Sequence, residues 1–96
     1  MPSQAAGRSR VKLDPEVRGS LQRRLRRARG QVDGILRMVE DERDCAELLT
    51  QLSAVSRALD RAAIEVLSAG LQQCAVEGEA AAPDRVKLER LFLSLR

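Results

Sequence analysis

Ninety-six residues with a single aromatic, Phe92, form one small domain at most, and a chain this short buries a modest core unless it associates. No apolar run is long enough to span a bilayer and no secretory core follows Met1, which points to a cytoplasmic protein without a membrane partner. The net charge is only +3, but residues 8–37 carry +7 and residues 38–80 carry −6; one basic segment in a balanced chain suggests a polyanionic partner, although a solvated helix face accounts for many such runs.

Leu, Val and Ala dominate the apolar set and no segment alternates with period two, so the chain is expected to be all-α. Residues 1–12 are polar, basic and aperiodic, and read as a mobile, disordered tail ahead of a single domain over 13–96. Asp14 followed by Pro15 is a helix start, an N-cap acceptor and a proline at the first helical position. Leu21, Leu25, Ala28, Val32, Ile35 and Val39 then recur at spacings of four and three, which predicts an amphipathic helix to about Asp41. Gly19, Gly30 and Gly34 lie within it, where small residues would permit close helix approach.

Asp41 to Asp44 forms an acidic joint in which Asp41 or Asp44 can cap the next helix. That helix is expected from about Arg43 to Val76, with Leu48, Leu52, Val55, Leu59, Ala62 and Val66 keeping the four-three rhythm. Its length favours a coiled-coil-like bundle. Glu77 to Pro83 is a connector containing Gly78, and a short third helix over about Asp84 to Leu95 places Leu88, Leu91, Phe92 and Leu95 on one side. The expected protomer is three helices, the first two an antiparallel hairpin.

Cys45 and Cys74 are the only cysteines and stand 29 residues apart on the second helix. Eight helical turns take about 28.8 residues, so the two thiols share a side, yet they are separated by about 43 Å of helix rise. A disulfide needs Cα atoms within about 7 Å, so thiols of one continuous helix cannot meet. If two copies pack antiparallel about a twofold axis near Leu59 and Asp60, Cys45 of each lies beside Cys74 of the other, giving two identical dithiol sites. The plainer alternative is a pair of small hydrophobes on an apolar stripe. An enzyme is not expected: the chain has no histidine, no nucleophile–base pair and no phosphate-binding loop.

The stretch RRLRRARGQVDGILRMVEDERDCAELLTQLSAVSRALDRAAIEVL, followed by SAGLQQC, resembles the CsoR/RcnR/FrmR/CstR family of bacterial repressors over about Leu21 to Cys74. The specific elements are RGQVDGILRM, the single Cys45 after the acidic joint, and LLTQLSAV. The resemblance implies an all-helical protomer, an antiparallel dimer, and a four-helix-bundle-like tetramer built as a dimer of dimers. It also implies operator double-stranded DNA that is released when an inducer reaches the inter-protomer cysteine site. Copper sensors of the family use Cys, His and Cys; Cys45 and Cys74 match the two cysteines, whereas the histidine position is Gly70. Nickel and cobalt sensing, which needs several histidines, is excluded.

Two cysteines without the histidine resemble the CstR branch, which senses persulfides and other sulfane sulfur, with no resident cofactor. On that reading Cys45, in the first turn of a helix, attacks a sulfane sulfur and Cys74 of the partner resolves the persulfide. The alternatives are Cu(I) held by Cys45 and Cys74, since Cu(I) favours soft thiolates, and a formaldehyde-responsive repressor acting through Pro2 and one cysteine. Zinc fits worst, wanting three or four ligands. For DNA the candidates are Arg18, Arg23, Arg24, Arg26, Arg27 and Arg29 on the first helix and Arg61 on the second, with Arg29 near the apolar stripe. By resemblance, Arg24 and Arg61 match family positions implicated in operator binding, and Gln51 belongs to the same surface. A broad basic face of this kind reads phosphate positions and DNA shape.

Overall fold

The computed structural model describes residues 11–94, so residues 1–10, most of the expected tail, and Pro2 with it, lie outside the described residues. The chain is all-α: α1 spans Pro15–Glu40, α2 Cys45–Glu77, a 3-10 turn Gly78–Ala81, and α3 Ala82–Ser94. No described helix is long and apolar enough to cross a membrane. Helix α1 runs back along α2 as an antiparallel hairpin, and α3 folds onto the C-terminal part of α2. The longest dimension, 53 Å, is close to the length of α2 itself.

Each boundary has a local cause. Asp14 accepts a hydrogen bond from the amide of Val17 at 3.0 Å, and Pro15 occupies the position where a missing N–H costs nothing. Of the two joint residues able to cap α2, Asp44 does so, accepting from the Glu47 amide at 2.9 Å. The joint closes through Asp41 N–H to Arg37 C=O and Arg43 N–H to Met38 C=O, with Glu42 at a φ of 56°. At the far end Gly78 has a φ of 69° and donates its N–H to Cys74 C=O. This left-handed geometry turns the chain so that α3 can return over Cys74.

The protomer's core is thin. Its buried hydrophobic residues among those described are Ala28, Ile35, Val55, Ala62, Cys74 and Ala81. Only part of each expected stripe is covered by the hairpin: Leu25, Val32 and Val39 on α1, and Leu52 and Leu59 on α2, are exposed. The reason is register. Ala28 and Ile35 are the buried apolar residues of α1 and Val55 and Ala62 those midway along α2, which leaves a second apolar row open on each helix. Leu25, Val32 and Val39 repeat at seven, as do Cys45, Leu52 and Leu59, the spacing of a helix seam awaiting a partner helix.

The glycines of α1 do not serve close approach within the protomer. A Cβ at Gly30 would meet nothing within 4 Å, and those at Gly19 and Gly34 would meet only the ends of arginine side chains. The close contact is instead at buried Gly70 of α2, where a Cβ would stand 2.9 Å from Leu88 Cδ1 of α3 and 3.9 Å from Val11 Cγ1.

Gly78→Ala forces a Cβ onto a left-handed residue and is expected to lower folding stability by about 1–2 kcal/mol, read from urea unfolding. Because the same turn seats α3, Cys74 should also label faster with a thiol reagent in that variant.

Candidate functional site

Two features stand out, the pair of thiols at the ends of α2 and an arginine-lined hollow midway along the hairpin. Helix α2 is unbroken from Cys45 to Glu77, so the two sulfurs of one chain stay about 43 Å apart. Both are free thiols; Cys45 is exposed and Cys74 buried, at 3% of its full accessibility. Cys45 is the first residue of α2, beside its cap Asp44 and in reach of the helix N-terminal dipole. Arg43, two residues before it, is already paired with Glu47 one turn on.

Cys74 lies in a different environment. The turn Gly78–Ala81 and α3 cover it, and burial pushes its thiol pKa up. The carboxylates of Asp84 and Glu77 push the same way, against the guanidinium of Arg85. Cys74 is therefore held as a thiol at neutral pH. One turn before it, Gly70 packs under Leu88, so the place where an imidazole would project is filled by an aliphatic side chain.

Among the described residues, no cluster of three or more His, Cys, Asp or Glu within one chain could hold a metal. The chain's thiol donors are two, Cys45 and Cys74. That suits Cu(I), which accepts a linear pair of soft sulfurs, and does not suit zinc.

The hollow lies between α1 and α2 and has a volume of about 510 Å³. Arg23, Arg24 and Arg27 line it from α1, and Arg57 and Arg61 from α2, with Ala54 and Ala58 among its small lining residues. The spacings place these arginines on adjacent helical turns facing one groove. Gln31 stands at one end with its Oε1 buried and unpartnered. At the other end Glu65 accepts a 2.6 Å hydrogen bond from Ser20 Oγ and pairs with Arg24 Nε at 3.4 Å.

Of the expected DNA-facing residues, Arg23, Arg24, Arg27 and Arg61 are thus gathered in one place. Arg18, Arg26 and Arg29 are exposed on α1 outside the hollow, and Arg29 is not buried against the stripe. Gln51 lines a separate shallow depression with Met38, Arg43 and Thr50 near the joint. Sequence reasoning missed Arg57, although it precedes Arg61 by four residues and so shares its face.

Residues 18–95 match the family model described as metal-sensitive transcriptional repressor. The chain is 48% identical over 52 residues to the copper-sensing transcriptional repressor RicR of Mycobacterium tuberculosis (strain ATCC 25618 / H37Rv), covering 54% of each protein. It is 41% identical over 54 residues to the copper-sensing transcriptional repressor CsoR of Bacillus subtilis (strain 168), covering 56% of this chain and 54% of that protein. To the CsoR of Mycobacterium ulcerans (strain Agy99), likewise a copper-sensing transcriptional repressor, it is 45% identical over 51 residues, which is 53% of this chain and 44% of that one. The matched segment spans about half the length of these curated relatives.

The unlike settings of the thiols predict an order of reactivity: iodoacetamide at neutral pH should label Cys45 well before Cys74, as read by peptide mapping. The raised Cys74 pKa carries a pH signature as well. The unfolded thiol ionises near 9.0 and the folded one at higher pH, so the stability tied to this thiol is fully present below that pH and falls as pH rises past it. Cys74→Ala should lose that part of the alkaline decline in chemical-denaturation curves.

Proposed function

Because the chain belongs to the family of metal-sensitive transcriptional repressors, we propose that it is a DNA-binding repressor whose inducer is read by Cys45 of one protomer and Cys74 of another. The observation that carries this reading is the placement of the only two cysteines at matched positions of one unbroken helix, too far apart to meet within a chain. An antiparallel pairing of two α2 helices about Leu59 and Asp60 would join them, and Leu52 and Leu59, exposed in the protomer, lie on the row that such a pairing would cover. The unburied apolar rows support a homo-oligomer, and a dimer of antiparallel dimers is the assembly we favour.

Copper(I) is the inducer that the relatives support, and it takes precedence over the sulfane-sulfur reading that the missing histidine favoured. When bound, the metal would bridge two thiolates from two chains. Cys45 would supply the accessible sulfur. Cys74 must first lose its proton, and its buried setting means that the ligand has to displace that proton as it binds. The link between chains would alter the spacing of the α2 helices and, through them, the relative placement of the arginine hollows. Packed interfaces move between discrete arrangements, and that is the route to DNA release.

Sulfane sulfur remains the second reading on one specific observation, the replacement of an imidazole by Gly70 packed under Leu88. The Cys45 thiolate would attack a polysulfide sulfur, breaking an S–S bond and expelling the shorter polysulfide with the bonding pair. Attack by the deprotonated Cys74 of the second chain on the Cys45 sulfur would then expel hydrosulfide and leave a disulfide between chains. Attack on the outer sulfur instead would move the persulfide to Cys74 and free the Cys45 thiolate; a longer bridge would form where Cys45 has taken up two sulfane sulfurs and Cys74 attacks the inner one, expelling hydrosulfide. Formaldehyde is the weakest reading, since it leaves Cys74 idle.

On the DNA side, Arg23, Arg24, Arg27 and Arg61 would meet the phosphate backbone, with Arg57 beside them and Arg18 and Gln51 extending the surface toward its ends. Phosphate contacts of this kind fix position and make affinity fall steeply with salt.

Two measurements test the assignment. In an electrophoretic mobility shift with the protein's own upstream DNA, Arg24→Ala and Arg61→Ala should each weaken binding about tenfold, at about 1.4 kcal/mol per decade, without changing oligomer size; unchanged affinity would remove these residues from the interface. Cys45→Ala should bind that DNA as the wild type does and ignore both inducers. For the wild type, release by stoichiometric Cu(I) with no covalent link assigns copper. Covalently linked dimers with mass added in steps of one sulfur, and weak Cu(I) uptake, assign sulfane sulfur instead.

A further inference from the structure

At one end of the hollow of five arginines a single carboxylate contacts the lining residues Ser20 and Arg24. On α2, Arg57, Arg61 and Glu65 follow one another at intervals of four and form one ridge. Glu65 crosses to α1, where its Oε2 accepts from Ser20 at 2.6 Å and its Oε1 lies 3.4 Å from Arg24 Nε. The Arg24 contact is an ion pair without hydrogen-bond alignment, for Oε1 is buried and makes no hydrogen bond. The carboxylate thus sits beside the guanidinium with the charge and the planar oxygens of a bound oxyanion, and the Ser20 hydroxyl supplies its hydrogen bond. Among the described residues no ion pair is formed by Arg23, Arg27, Arg57 or Arg61, so Glu65 answers the one arginine that it touches and leaves the rest of the hollow positive.

We propose that Glu65 is an internal competitor for DNA phosphate, occupying the Arg24 end of the hollow and setting the affinity of the repressor below what its arginines alone would give. The proposal rests on the reading of this hollow as the DNA-facing surface. A phosphodiester reaching Arg24 must either displace the carboxylate or lie beside it, and either course leaves a negative side chain against a polyanion. Arg24 is half exposed while Glu65 is partly buried, so the guanidinium stays within reach of a phosphate and the carboxylate tunes affinity without abolishing it. A single unit charge on a phosphate-binding face corresponds to about 0.9 in the slope of log affinity against log salt.

The test measures binding of the full-length protein to a labelled mixed-sequence duplex of about 30 base pairs by fluorescence anisotropy, across about 50–200 mM salt. Glu65→Gln keeps an acceptor for Ser20 and removes only the charge. It should bind about threefold more tightly at the low end of that range, with a slope steeper by about 0.9. Ser20→Ala, which keeps the charge but frees the carboxylate to swing into solvent, should tighten binding by less than Glu65→Gln. It also stands as the second variant should Glu65→Gln fail to fold. Equal or weaker binding by a folded variant, judged by circular dichroism and oligomer size, would show that Glu65 positions Arg24 for DNA, and the proposal would fall. A wild type that does not bind the duplex at low salt would instead overturn the DNA reading of the hollow and carry the inference with it.

Discussion

The unbroken run of α2 from Cys45 to Glu77 is the constraint from which the rest follows. A helix of that length cannot bend its ends together, so two thiols set eight turns apart are useless to one another inside a chain. The same rigidity that separates them also makes them addressable by a second copy, because a straight helix paired antiparallel with itself brings matched positions together at both ends. Its caps protect that continuity: Asp44 holds the first turn, and the left-handed Gly78 ends the last without fraying into the connector.

The ends of this rod are chemically unlike. Cys45 stands in water at a positive helix terminus, and Cys74 is sealed beneath the return of the chain, with Asp84 and Glu77 nearby. In a site assembled from two chains, each half-site would therefore combine one open sulfur with one guarded sulfur. Such a pairing favours a sequence of events in which the open sulfur makes the first contact and the guarded one completes it. It also keeps Cys74 from casual oxidation, since reactivity follows thiolate character and access.

Much of this was legible in the residues. Asp14–Pro15, the acidic joint and the four-three rhythm located the helices to within a turn, because caps and periodicity are local physics. The common register of Cys45 and Cys74 was legible for the same reason. What the chain alone could not show was which half of each apolar stripe faces inward: Leu25 and Ala28, or Leu52 and Val55, lie about 60° apart within one stripe and are distinguished only by the packing of α1 against α2. Nor could it show that Gly70, rather than Gly30, is the close contact, since that depends on where α3 lands. Arg57 was passed over although Arg61, four residues on, shares its face, and Glu65 because its contacts are with Ser20 and Arg24 some 40 residues away.

The thin core has a consequence for how such a protein exists in a cell. With its buried side chains mostly alanine, valine and isoleucine, a lone protomer has little to offset the conformational entropy of ordering its backbone. If a second copy covers its open apolar rows, folding and self-association become one mass-action equilibrium, in which the ordered state is favoured only above a threshold of copies. A newly made protomer below that threshold would be prey to proteolysis, so the abundance of the regulator would be governed by its own dilution as well as by its synthesis.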